Sequence, residues 1–125
     1  MSPKLLACLA AIAATTPSGA HAFGVKFSWA GIPACGKTSP EFHLSAVPRG
    51  ATRLRFEMQD LNVPAFHHGG STVAFTGETV KQGAIRYIGP CPPGGERHRY
   101  RWTVEALDAS GKTLAATSAT ATFPP

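Results

Sequence analysis

Helical periodicity is what this sequence has least of. Beyond the first two dozen residues no window sets apolar residues at i, i+3, i+4 and i+7, which excludes helix bundles and the α/β folds built on amphipathic helices. The chain also has no internal repeat, no low-complexity tract and no linker, so it offers no solenoid and no seam between domains. No apolar run reaches the roughly 20 residues that a spanning helix needs. Charge is sparse, at 15% of residues, and the twelve Lys and Arg are scattered, so a formal net charge of +5 identifies no partner by itself. There is no nucleophile elbow, no pair of catalytic carboxylates and no phosphate-cradling loop, and the chain is therefore read as not an enzyme. Nucleic-acid motifs are absent too, and the aromatics alternate with the arginines instead of sharing their face.

What is present begins with a targeting pattern. Lys4 precedes an apolar run, "LLACLAAIAA", and then "TTPSGAHA", in which Ala20 and Ala22 give the small-x-small spacing of a secretory cleavage site. Residues 1–22 are read as a signal peptide and the chain as exported, to a periplasm or beyond, without a transmembrane anchor. A lipoprotein signal around Cys8 would need a longer apolar stretch ahead of that cysteine. Residues 23–125 then suit one domain. With Cys8 removed, Cys35 and Cys91 remain, and an even pair in an exported chain reads as a disulfide; two free buried thiols are the alternative. The bridge would close a loop of over fifty residues, for which chain entropy gives about 4 kcal/mol.

The remaining signal is period two. Strands are predicted at Phe23–Trp29, Phe42–Ala46, Arg53–Asp60, Ser71–Thr76, Ile85–Ile88, His98–Leu107 and Thr113–Phe123, with Gly and Pro loops between them and a "DASGK" turn before the last. Seven short strands predict an all-β fold, a single β-sandwich or Greek-key arrangement. Arg53 and Arg55, and Arg97, Arg99 and Arg101, alternate with apolar neighbours and read as the solvated face of half-buried strands.

Register then singles out polar residues in core phase. Asp60 follows Leu54, Phe56 and Met58 on the inward face; it is either a strand-end cap for the next turn or a carboxylate that needs buried partners. His98 and Tyr100 share the face of Trp102 and Val104. In "FHHGG", Phe66 to Gly70, adjacent histidines point in different directions, so at most one shares a pocket with Asp60 and His98. His67, His68, His98 and Asp60 have the ligand types of a metal site but no spacing to enforce one, and neither metal nor cofactor is expected.

Three of these pieces in order resemble the phosphatidylethanolamine-binding protein family, in its secreted bacterial branch often labelled Raf kinase inhibitor-like. "DLNVP", Asp60 to Pro64, is similar to the family's Asp-Pro-Asp-Ala-Pro segment. "HHGG" follows it, and "GPCPPGGERHRYRWTVEALD" is similar to the Gly-x-x-Pro-Pro-x-Gly…His-Arg-Tyr signature. The resemblance runs from about Ser39 to Asp108 and implies a β-sandwich with a small pocket at one end, binding phosphate-type anions such as a phospholipid head group. By position it implies ligand-binding roles for Asp60, His68, Gly89, Cys91, His98 and Tyr100. Asn62 stands where the family has its second acid, Gly69 replaces an aromatic, and no C-terminal helix is expected before Pro125, which implies a more open pocket. The family's inhibitors of kinases and proteases supply the alternative, an interaction module acting through surface loops.

Overall fold

The computed structural model describes residues 22–125, so all but the last residue of the expected signal peptide lies outside the described residues. Within them the chain forms two antiparallel sheets facing one another. One holds β1 (Gly24–Phe27), β2 (Phe42–Ser45) and β5 (Thr79–Val80) in the order β1-β2-β5. The other holds β3 (Arg53–Asp60), β4 (His67–Ala74), β6 (His98–Leu107) and β7 (Thr113–Phe123) in the order β4-β3-β6-β7. The all-β sandwich read from period two is the architecture observed.

Alternation decides which side chains fill the gap between the sheets. Leu54, Phe56, Met58 and Asp60 of β3 are buried, and so are His98, Tyr100, Trp102, Val104 and Ala106 of β6. Opposite Tyr100, Trp102 and Ala106, the neighbouring β7 carries only alanines, Ala121, Ala119 and Ala115. These small side chains leave room for the bulky rings of β6. Phe42 of the other sheet fills the centre, with ring centroids 4.8 Å from Phe56 and 5.0 Å from Trp102. Trp29 adds an edge-to-face contact with Tyr100 at 5.9 Å and donates its indole N–H to the Ala121 carbonyl at 3.3 Å. Edge-to-face packing suits the ring quadrupoles and adds to simple area burial. The arginines turn outward as expected: Arg55 pairs with Glu105, and Arg101 donates to Gln59 at 2.7 Å.

Three strand expectations are corrected. Residues Ile85–Ile88 form no strand, although Ile85 and Tyr87 are buried and Arg86 and Ile88 exposed. Their amides bond piecemeal: Ile85 to the Ser39 hydroxyl (3.0 Å), Arg86 to the Ser71 hydroxyl (3.0 Å) and Ile88 to the His68 carbonyl (2.8 Å). Period two reports the buried face, whereas a strand also needs a partner ladder. The second correction is β4, which begins at His67 and not at Ser71. The "HHGG" stretch is thus part of the sheet, where a Cβ on Gly70 would strike the Phe56 carbonyl, so only glycine permits this approach. A register shift between Glu57 and Gln59 accompanies it. The strand predicted to start at Phe23 and run to Trp29 is shorter, because Trp29 leaves the ladder for the core.

Candidate functional site

At one end of the sandwich, the end of β3, the start of β4, the start of β6 and the Gly89–Pro93 loop converge. Asp60 proves to be both cap and buried carboxylate. Its Oδ1 accepts the amide N–H groups of Asn62 (2.8 Å) and Val63 (3.1 Å), and its Oδ2 lies 2.7 Å from His98 Nδ1. Asn62 is structural as well, since its side-chain oxygen accepts the Arg99 amide at 2.8 Å and, with Leu61 N–H bonded to the Arg99 carbonyl, lashes the loop to β6.

The two adjacent histidines part company, as strand alternation demands. His67 is exposed and His68 is buried at 4% exposure. His68 Nδ1 donates to the Ile88 carbonyl at 2.7 Å. A carbonyl only accepts, so Nδ1 carries the proton, and Nε2 becomes a donor only in the imidazolium form. The Tyr100 ring stands between the histidines, edge-on to His68 at 5.6 Å and stacked on His98 at 6.3 Å.

The fourth wall is the proline loop. Cys35 and Cys91 form a disulfide, and two backbone bonds run beside it, Cys35 N–H to the Pro90 carbonyl (2.8 Å) and Gly89 N–H to the Gly36 carbonyl (2.9 Å). A Cβ on Gly89 would strike that Gly36 carbonyl, which is why the sequence has glycine there. Between Pro90 and Pro93 only Cys91 has an amide N–H, and it approaches the Tyr100 hydroxyl closely enough to oppose the upward shift of that phenol.

These groups enclose a cavity of about 140 Å³. Asp60, His68, Gly89, Cys91, His98 and Tyr100, all six residues singled out in the sequence, line it together. The sequence reading missed the apolar part of the lining, Val63, Phe66, Ile88 and Pro93, which period two cannot assign because they sit in loops. A larger hollow of about 290 Å³ lies on the outer face beside Glu57, Gln59 and His67, but no buried polar groups converge there. Among the described residues no set of three His, Cys, Asp or Glu side chains converges as metal ligands.

Burial pushes the Asp60 carboxyl upward, but the bonds from His98, Asn62 and Val63 outweigh it and hold the group below its ordinary value. His98 is raised, first by its hydrogen bond to Asp60, against burial and with help from Glu96, whose carboxylate lies 3.2 Å from His98 Nε2. Both shifts favour the charged forms, a carboxylate facing an imidazolium. Tyr100 is pushed up to about 12 by burial, with the Asp60 charge adding and the Cys91 amide opposing, so its phenol stays protonated.

Residues 65–123, which carry β4, the proline loop, β6 and β7, match the family model described as phosphatidylethanolamine-binding protein. Over this stretch, just under half of the chain, the sequence is similar to the phosphatidylethanolamine-binding protein family. The matched segment begins after Asp60, so the "DLNVP" resemblance stands outside it. A phosphatidylethanolamine-binding protein homologue, CT736 of Chlamydia trachomatis, shares the fold with a TM-score of 0.63 at 20% identity, over 83% of this chain and 98% of that one. YbcL of E. coli, described as a new member of the mammalian family, gives 0.57 at 19% identity, over 81% and 97%. No curated protein sequence matches. The chain shares the β-sandwich plan of these two structures, and among the described residues no helix is long and apolar enough to cross a membrane.

Proposed function

We propose that the cavity takes a phosphate-type anion, either free or as the head group of a phospholipid, and that the protein works by binding and not by catalysis. The observation that carries this is the gathering of His68, His98 and Tyr100, whose ring N–H and hydroxyl groups can donate hydrogen bonds, around one small cavity. Asp60 does not touch an anion in this reading; it keeps His98 charged. The non-catalytic reading is supported by the lack of an activated nucleophile at the cavity: Cys91 is held in a disulfide and the Tyr100 phenol stays protonated. The disulfide also supports export to an oxidising compartment.

Because Nδ1 of His68 is committed to the Ile88 carbonyl, that ring meets an anion with a donor only when protonated. Asp60, His98 and Tyr100 are the other ionisable groups lining the cavity, with Glu96 bonded to His98, and only His68 and His98 bring positive charge. Binding is therefore expected to be several-fold tighter at pH 6 than at pH 8. Calorimetric titration of the oxidised protein with inorganic phosphate and with phosphoethanolamine, wild type beside His98→Ala, tests both points. Saturable heat that the substitution removes from a folded protein is the expected result. Affinity that is flat between the two pH values would sink the histidine-donor mechanism.

A second reading, an interaction or inhibitor module, draws on three of the exposed large apolar side chains, Val63 (44%), Phe66 (48%) and Ile88 (51%), which rim the same cavity. Capture of a protein partner that is indifferent to His98→Ala would favour it.

A further inference from the structure

His98 is held between two carboxylates of opposite character. On the Nδ1 side Asp60 is buried, with 6% of its side chain exposed, and is fixed by two further amide donors. On the Nε2 side Glu96 is 57% exposed, and His98 is the one group bonded to its carboxylate among the described residues. The backbone explains how Glu96 comes to be there. Glu96 N–H closes a turn on the Pro93 carbonyl at 2.9 Å, with Gly95 in the left-handed region at φ 82°. That turn delivers Glu96 to the start of β6, two residues before His98, and in extended chain residues i and i+2 lie on one side.

Chemically, the outward N–H of the imidazolium is the strongest donor that His98 can offer a ligand, and an anion is already on it. That anion belongs to the protein. We infer that Glu96 is a tethered competitor for the anion pocket, its carboxylate occupying the outward N–H of His98 until a ligand of sufficient negative charge displaces it. The inference rests on the anion-binding reading above and adds how the site selects among ligands. An exposed ion pair held at one end only is weak, about 0–1 kcal/mol, so the tether is displaceable. A monoanion must compete with it on equal charge, whereas a dianionic phosphate outbids it. The Gly94–Gly95 turn gives the loop the backbone freedom to swing Glu96 away without disturbing β6.

The test compares wild type, Glu96→Gln and Glu96→Ala in titrations at pH 6 with sulfate, a tetrahedral dianion at that pH, and with acetate, a monoanion, following histidine ring signals by NMR. Glu96 is exposed and its turn is closed by backbone, so both variants are expected to fold as wild type, which circular dichroism checks. Expected is about two- to fivefold tighter binding of both anions in the variants, with the larger gain for acetate and with the His98 Nε2 signal responding to ligand. Equal or weaker binding in Glu96→Gln and Glu96→Ala, or sulfate binding that moves only the His68 signals, would overturn the competitor role while leaving the anion pocket standing. No binding of either anion by any folded form would instead overturn the anion pocket itself.

Discussion

At the scale of single residues, Asp60 does the most. Its two oxygens satisfy two loop amides and a histidine, so its removal uncouples the β3–β4 connection from β6 at once. Asp60→Asn keeps the size and loses the charge, and a loss on the order of 1–3 kcal/mol is expected in urea denaturation at neutral pH. The pH dependence follows from the directions of the two shifts. Asp60 is lowered from 3.8, so its contribution is present above that value and is lost as pH falls through its depressed native value. His98 is raised from 6.5, so its contribution is full below that value and is lost as pH rises through its elevated native value. Wild-type stability should show a plateau between these limits and an alkaline decline above 6.5. Asp60→Asn should flatten the alkaline decline, since Asp60 is the main cause of the His98 shift; an unchanged alkaline limb in the variant would show that the pair does not govern it.

At the scale of elements, the pocket wall depends on two loops far apart in sequence being zipped together. The disulfide spans 56 residues, and the flanking amide bonds run between the same loops. Opening the bridge with Cys35→Ser and Cys91→Ser together is expected to cost about 2–4 kcal/mol and to loosen the Cys91 amide. Hydrogen exchange at Cys91 in the reduced wild type should accelerate relative to β6. Gly89→Ala attacks the same wall without touching the cysteines, because its Cβ would collide with the Gly36 carbonyl. Its expected signature is weaker phosphate binding in a protein whose β-sheet spectrum is unchanged. Normal binding by Gly89→Ala would mean that the loop can shift without consequence for the cavity.

At the scale of the whole molecule, stability comes from the aromatic layer between the sheets, and Phe42 is its centre. It is fully buried and touches rings from both sheets, Phe27 on its own side and Phe56 and Trp102 on the other. Phe42→Ala is expected to cost about 3–5 kcal/mol, a large share of the 5–15 kcal/mol typical of a domain. A thermal transition lowered by less than a few degrees would show that the sheets are held otherwise.

Period two sufficed for the strands that pair along their length. Arg53–Asp60, His98–Leu107 and Thr113–Phe123 come out with the predicted bounds because each alternates inward and outward over most of its length. It also placed Asp60, His98 and Tyr100 on the inward face, and since polar groups in core phase need partners, those residues marked the site. Only the tertiary structure decided the rest, because hydrogen-bond partners and loop approaches are long-range facts. Residues Ile85–Ile88 alternate like a strand, yet their amides meet side chains and a bent edge instead of a ladder. "HHGG" looks like a loop, yet it pairs with β3 because Gly70 can press against Phe56. Nor does the sequence say which carboxylates flank His98: Asp60 is 38 residues away along the chain and Glu96 only two, and folding brings both to one imidazole.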